Sequence, residues 1–141
     1  MSIIAIDFGT SNTVVSILEA DTKEANTIRF PELSRLFTYT DNNGENKNIA
    51  VTPTLIFIKE GNQIVLGEKV RSQRLGLAKP QRLFKAFKRD LAADFQGLPR
   101  QLDNESYTSK TVSEIFIKEI WEKIKEQNIQ PSKVFCALTH Y

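Results

Sequence analysis

The stretch that decides the fold runs from residue 3 to residue 18 and reads IIAIDFGTSNTVVSIL. An apolar run from Ile3 to Ile6 is followed by a polar turn at residues 7–12 and by a second apolar run from Thr13 to Leu18. Two runs of strand-like composition around such a turn predict a β-hairpin. Because the first run is almost wholly apolar, we expect its strand to be buried.

The turn at residues 7–12 has a composition that suits phosphate. A phosphate needs several backbone N–H groups that converge on it, and a tight turn can supply them. Gly9 permits close backbone approach and unusual dihedral angles, while Thr10 and Ser11 add hydroxyl donors. Asp7 ends the first strand with a carboxylate that can hold Mg²⁺ directly or through waters. The same residues are also ordinary for a hairpin turn, and the lysine of a Walker loop is absent.

Composition narrows the class of protein. The chain has 141 residues, of which 40% are hydrophobic and 26% charged, as in a globular domain. A formal charge of +2 gives no strong reason to expect nucleic acid as a partner. No apolar stretch approaches the roughly 18 residues of a membrane span, and the N-terminus has no export signal. We therefore expect a soluble, cytoplasmic protein without a membrane partner.

The middle of the chain predicts short elements. Residues 19–49 suggest an irregular or hairpin excursion, with strand residues at 36–39 and a turn at 41–44. Residues 51–58 predict a strand with an edge or a bend at Pro53. A turn at residues 61–62, a strand at 63–66 and a short helix at 68–76 follow.

A basic amphipathic segment occupies residues 82–89, with the sequence RLFKAFKR. Its apolar residues Leu83, Phe84 and Phe87 fall at helical spacing, so one face can pack on a core. A fixed cation stabilises charge that develops on a γ-phosphate. Lys88 is the candidate for this role, with Lys85 and Arg89 nearby; the alternative is a solvated basic face.

The C-terminal part predicts a helix and a strand, after a polar stretch without clear pattern at residues 92–110. Thr111 and Glu114 have capping-box spacing, so we expect the helix to begin at Thr111 and to end near Asn128. Its buried stripe consists of Val112, Phe116, Ile120 and Ile124, widened by Ile117 and Trp121. The final strand, residues 134–138, is expected to be buried, with Cys136 as a small core residue rather than a catalytic thiol.

Taken in order, four segments resemble the nucleotide-binding domain of the heat shock protein 70 family, within the actin-like ATPase superfamily. They are IAIDFGTSNT at residues 4–13, TPTLI at 52–56, VLGE at 65–68 and LFKAFKR at 83–89. The resemblance extends over nearly the whole chain. It implies an α/β fold of the ribonuclease-H-like, actin-like ATPase type. The main lobe would comprise residues 1–50 and 111–141, and residues 51–110 would form an inserted smaller α+β subdomain.

The resemblance also implies a mechanism, with ATP or ADP and Mg²⁺ as ligands. Lys88 and Asp7 would be the catalytic residues, Lys88 at the γ-phosphate or its attacking water and Asp7 at Mg²⁺. The nucleotide-binding residues would be Gly9, Thr10, Ser11, Asn12 and Arg89. The full chain would be an ATPase chaperone of the stress response that acts on unfolded peptides with co-chaperones. This segment alone would be inactive, because the second half of the nucleotide cleft would lie beyond Tyr141.

The chain departs from the family pattern at three places. Residues 19–49 form a longer connection, Ser11 replaces the usual second hydroxyl residue, and LTHY at residues 138–141 replaces valine-proline-alanine-tyrosine. Two alternatives to a chaperone stay open. One is another actin-like enzyme, such as a sugar or acetate kinase, and the other is a non-catalytic nucleotide-binding module.

Overall fold

The computed structural model describes residues 2–19, 21, 24–95 and 97–138, which form a mixed α/β fold. The strands are β1 (Ser2–Phe8), β2 (Asn12–Glu19), β3 (Ala25–Thr27), β4 (Arg35–Thr40), β5 (Asn46–Pro53), β6 (Leu55–Lys59), β7 (Gln63–Leu66), β8 (Leu83–Lys85), β9 (Arg100–Leu102), β10 (Glu105–Tyr107) and β11 (Lys133–Leu138). The helices are α1 (Glu68–Ser72) and α2 (Ser109–Glu126). Short 3-10 turns occupy Pro80–Arg82 and Phe87–Ala92.

The predicted N-terminal hairpin is confirmed and forms the centre of the main sheet. Its strand order is β11-β1-β2-β5-β4, with β3 paired to β2. β11 runs parallel to β1, and the other pairs are antiparallel. Ile4, Ile6 and Phe8 are buried on one face of β1, where they join the fully buried α2 residues Phe116 and Ile120 in one hydrophobic core. The strand alternates in burial because successive side chains point to opposite faces.

The expected excursion at residues 19–49 contains a hairpin formed by β4 and β5. The Asp41 carboxylate accepts hydrogen bonds from the amides of Asn43 and Glu45, both at 2.9 Å, and Gly44 takes a φ of 79°. An Asx-type turn of this kind accounts for the turn predicted at residues 41–44. β4 is an edge strand, and Leu36, Phe37 and Tyr39 are exposed there.

The single strand predicted at residues 51–58 is instead two strands that belong to different sheets. β5 ends at Pro53 in the main sheet, and β6 begins at Leu55 in a three-stranded sheet ordered β7-β6-β8. Proline lacks the N–H that would continue a ladder, so the bend expected at Pro53 is confirmed. Thr54 is the residue that connects the two sheets.

α1 is shorter than the helix predicted at residues 68–76. It ends at Ser72. Arg74 has a φ of 51°, which is a left-handed conformation and cannot continue a right-handed α-helix. Its start depends on Gly67, where a Cβ would lie 2.5 Å from the carbonyl oxygen of Leu33.

The helical interpretation of residues 82–89 is wrong. Leu83–Lys85 form β8, which pairs with β6 so that Leu55 lies opposite Lys85. Ala86 then adopts a left-handed conformation, with a φ of 55°, and Phe87–Ala92 form a 3-10 turn. Tertiary pairing overrides helical spacing here, since the open edge of β6 accepts the segment as a strand. Of the three residues expected to face the core, Phe84 and Phe87 are buried there, whereas Leu83 is only partly buried.

The polar stretch at residues 92–110 contains a small hairpin that the sequence pattern did not reveal. β9 and β10 are joined by Asp103 and Asn104, which both have positive φ angles, 49° and 69°. Two such residues suit a tight two-residue hairpin turn. Leu102 and Tyr107 are buried and join this hairpin to the core.

The long helix is confirmed, but its start is not at Thr111. α2 begins at Ser109, and the N-cap is Thr108, whose hydroxyl accepts from the Thr111 amide at 3.1 Å. The Thr111 hydroxyl in turn accepts from the Thr108 amide at 2.8 Å, so Thr111 takes the role that the sequence assigned to Glu114. The predicted stripe of Val112, Phe116, Ile120 and Ile124 is fully buried.

The last strand is confirmed as β11, but the expectation that it is buried is wrong. Val134 is 44% exposed and Phe135 is 58% exposed, and Cys136 is exposed as well. β11 is an edge strand that pairs with β1 on one side only within the described residues. The family departure at residues 139–141 lies outside the part of the chain that the structure describes.

The division into a main lobe and an insertion at residues 51–110 remains a prediction. The two sheets meet at Thr54, and the end of β5, residues 51–53, belongs to the main sheet. In the described part of the chain, no helix is both long and apolar enough to cross a membrane.

Candidate functional site

An aromatic cluster brings the end of β1 next to the basic segment. The Phe8 ring lies 6.2 Å from the Phe87 ring and 5.7 Å from the Phe116 ring, and Phe87 and Phe116 are 5.9 Å apart. Ring pairs at these separations contribute packing energy beyond area burial. The turn that follows Phe8 and the cations that surround Phe87 are therefore neighbours, although many residues separate them in sequence.

A cavity of about 250 Å³ lies where these two segments meet. Its walls come from the N-terminal turn, the start of β4, the junction between β5 and β6, α1 and the basic segment. The lining residues are Thr10, Ser11, Asn12, Arg35, Pro53, Thr54, Leu55, Arg71, Lys85, Ala86 and Arg89. Four of these are cations and none is a carboxylate, so the cavity favours an anion.

Two of the four cations form no ion pair among the described residues, and the other two, Arg35 and Arg71, interact with the Glu68 carboxylate. Arg71 donates two hydrogen bonds to Glu68, at 2.8 and 2.6 Å, and thereby lowers the pKa of that carboxyl. Arg35 lies over the Phe37 ring, 4.3 Å from its centroid, and its charge also helps to lower the pKa of the Glu68 carboxyl. Lys85 and Arg89 are exposed and form no ion pair within the described ranges. Their charge is available to a ligand.

The turn itself presents free donors. Its carbonyl groups are engaged, since Gly9 accepts from the Thr54 hydroxyl and Ser11 accepts from the Thr54 amide, both at 2.9 Å. The amides of Thr10 and Ser11 donate no hydrogen bond to any described residue. Gly9 does not have a positive φ, so the turn does not use the left-handed conformation that a glycine permits.

Asp7 fits the chemistry of a magnesium ligand. Its side chain is half-buried, and its Oδ1 atom is buried without a hydrogen-bond partner. A buried carboxylate oxygen without a partner is costly unless a cation or a donor reaches it. No cluster of three or more acidic, histidine or cysteine residues that could hold a metal occurs in the described chain. Mg²⁺ here would therefore rest on Asp7 together with phosphate and water oxygens, as is usual for this ion.

Lys88 is buried, with an exposed fraction of 5%, and its Nζ atom has no hydrogen-bond partner. It forms no ion pair with Asp7. It does not line the cavity, whereas its neighbours Lys85, Ala86 and Arg89 do. The structure therefore brings together Thr10, Ser11, Asn12 and Arg89 of the predicted site around one cavity. The other predicted site residues, Asp7, Gly9 and Lys88, do not line it.

Sequence reasoning missed Arg35, Arg71 and Thr54 as cavity residues. Arg35 and Arg71 lie in β4 and α1, and no local pattern connects either of them with the turn. Thr54 lies in the segment TPTLI at residues 52–56, whose sequence gives no sign of the hydrogen bonds that Thr54 makes with Gly9 and Ser11.

The surroundings of Cys136 do not activate its thiol. Partial desolvation, together with the negative charge of Asp7, raises the pKa of its thiol. A raised pKa keeps the sulfur protonated at neutral pH, and the thiolate is the reactive form.

No protein-family model matches this chain, and no curated protein sequence matches it either.

Proposed function

We propose that the chain binds the phosphates of ATP or ADP with Mg²⁺, as the first lobe of an ATPase that resembles the heat shock protein 70 family. The ribonuclease-H-like, actin-like fold is part of this proposal. The observation that carries it is the cavity in which the turn residues Thr10 and Ser11 meet the cations Lys85 and Arg89. Free turn amides, hydroxyls and unpaired cations together form a chemically suitable phosphate site.

Each residue has a role in this proposal. Thr10, Ser11 and Asn12 donate to phosphate oxygens, and Arg89 neutralises their charge. Asp7 orients Mg²⁺, which supplies charge neutralisation when it is bound. The Lys88 ammonium, buried and without a partner, needs an anion nearby to offset its desolvation. A γ-phosphate would be such an anion.

The wider function follows from the resemblance alone. A protein of this kind is an ATPase chaperone of the cytoplasm, with unfolded peptides and co-chaperones as partners and without nucleic acid or membrane partners. If a longer chain contains this segment, its remaining sequence discriminates best. A glycine-rich second phosphate loop followed by a β-rich domain favours the chaperone, whereas a hydroxyl-substrate pocket favours a kinase.

The second candidate is a non-catalytic nucleotide-binding module. The observation in its favour is that Lys88, the residue on which hydrolysis depends, does not line the cavity. A module of this kind would bind nucleotide through Thr10, Ser11 and Arg89 without turnover.

Substitution of Lys88 separates the two candidates. In the complete protein we expect Lys88→Ala to lower the single-turnover rate of ATP hydrolysis about 10²-fold or more, because one charge-stabilising donor is lost. Nucleotide titration with and without Mg²⁺ measures affinity on the same samples. An unchanged rate would show that Lys88 has no part in hydrolysis. The non-catalytic binding module would then be the better candidate.

The 141-residue chain by itself should hydrolyse ATP slowly or not at all, since the proposal assigns it only half of the cleft. Turnover by the purified chain at a rate typical of a chaperone, abolished by Lys88→Ala, contradicts this expectation.

A further inference from the structure

Thr54 lies at the junction of the two sheets and is almost completely buried, with an exposed fraction of 1%. It makes three hydrogen bonds towards the N-terminal hairpin. Its amide donates to the carbonyl of Ser11, its hydroxyl donates to the carbonyl of Gly9, and its hydroxyl also bonds the hydroxyl of Thr13, each at 2.9 Å. One buried residue thus holds the turn at both ends.

These contacts determine where the turn's amides point. In a trans peptide unit the C=O and the N–H that follows it point in opposite directions. The Gly9 carbonyl points to Thr54, so the Thr10 N–H points away from it. The Ser11 carbonyl also points to Thr54, so the Asn12 N–H points away as well. Thr54 therefore keeps the Thr10 and Asn12 N–H groups directed away from itself.

The same residue also connects the turn to the cations. Leu55, the next residue, pairs with Lys85 in the three-stranded sheet. The Arg89 amide bonds the carbonyl of Ala86, which follows Lys85 directly. Residues 54 and 55 therefore fix the position of the basic segment relative to the turn.

We propose that Thr54 is a positioning residue for anion binding: its hydroxyl holds the Gly9–Asn12 turn in the conformation that presents its amides to phosphate. This inference rests on the proposed phosphate site. Thr54 does not touch the ligand through its hydroxyl, because that hydroxyl is already used within the protein.

Thr54→Val tests the role, since it replaces the hydroxyl with a methyl group and keeps the shape of the side chain. We expect its affinity for inorganic tripolyphosphate with Mg²⁺ to fall roughly tenfold, because the turn loses the hydrogen bond at the Gly9 carbonyl, while the bond to the Thr13 hydroxyl is lost as well. Thr54→Ser keeps the hydroxyl and should bind like the unaltered protein. Backbone amide NMR of Thr10 should report a changed turn in Thr54→Val and a normal one in Thr54→Ser.

Thr52→Val is the matched control. Thr52 is also buried, and its hydroxyl bonds the Ser34 hydroxyl at 3.0 Å rather than the turn. The Thr52→Val variant should lose stability but keep its affinity for tripolyphosphate. This result would show that weaker binding in Thr54→Val comes from the altered turn and not from general destabilisation. If Thr54→Val fails to fold, Thr54→Ala removes the hydroxyl without adding bulk and allows the same comparison.

The two proposals fail in different ways. If the unaltered protein binds no tripolyphosphate, the phosphate site and the role of Thr54 are both overturned. If it binds and a folded Thr54→Val or Thr54→Ala binds equally well, only the positioning role is overturned.

Discussion

At the residue scale, the Arg82 guanidinium connects three separate parts of the chain. It donates to the Ile58 carbonyl at 3.0 Å and to both carboxylate oxygens of Asp103, at 3.0 and 3.1 Å. The hydrogen bond from Arg82 lowers the pKa of Asp103 below its ordinary value of 3.8. The ion pair thereby joins the β9–β10 hairpin to β6.

This pair predicts a pH dependence of stability. A carboxyl with a depressed pKa in the folded state stabilises the protein above its unfolded-state pKa, and this contribution disappears as the pH falls through its folded-state pKa. Asp103→Asn removes the ionisable group but keeps a residue that tolerates a φ of 49°. We expect the variant to be less stable than the unaltered protein at pH 7, and the difference to shrink below about pH 4.

Urea denaturation over a pH series measures this difference. Asp94→Asn is the matched control, because Asp94 is exposed and forms no ion pair in the described part of the chain. Parallel stability curves for Asp103→Asn and the unaltered protein would show that the pair contributes nothing to acid sensitivity.

At the element scale, the start of α2 distinguishes two capping arrangements. Thr108 and Thr111 satisfy each other's backbone amides, while Glu114 is exposed. Thr108→Ala should therefore lower the free energy of unfolding by about 1 kcal/mol, the usual cost of a lost N-cap. Glu114→Gln should leave it unchanged within about 0.5 kcal/mol. Urea denaturation measures both values. If the two variants lose the same free energy of unfolding, the capping box predicted from the sequence, Thr111 with Glu114, is the correct one.

The sequence predicted correctly those elements that depend on a pattern within a single short segment. The hairpin at residues 3–18 and the buried stripe of α2 follow from apolar periodicity, and both are present. β8 was misread as helix because pairing with β6, residues 55–59, decides its conformation. The exposure of Phe135 was missed because an apolar run does not reveal whether a strand lies at an edge.

The candidate site was predictable in part for the same reason. Thr10, Ser11, Asn12 and Arg89 carried a recognisable pattern, and the structure places them around one cavity. Arg35 lies in a separate element, so only the fold reveals its proximity. The burial of Lys88 could not be foreseen, because its surroundings depend on how the 3-10 turn packs.

At the scale of the whole molecule, two sheets meet at one residue, and a cavity lined by four cations lies at their junction. The turn belongs to the main sheet, and the cations Lys85 and Arg89 belong to the smaller sheet and the 3-10 turn that follows it. Phosphate bound between them would contact both parts. The central claim is therefore that a single anion engages the turn and the basic segment together.

NMR titration of the isotopically labelled protein with Mg²⁺ and inorganic tripolyphosphate tests this claim most directly. The account predicts saturable shifts of the Thr10 and Ser11 amides. Arg89→Gln should weaken this binding about tenfold or more, because a charge-assisted hydrogen bond is lost. Lys110→Gln, which removes an exposed charge at the α2 N-terminus, should leave it unchanged. Absence of shifts at the turn, or shifts that are insensitive to Arg89→Gln, would contradict the account.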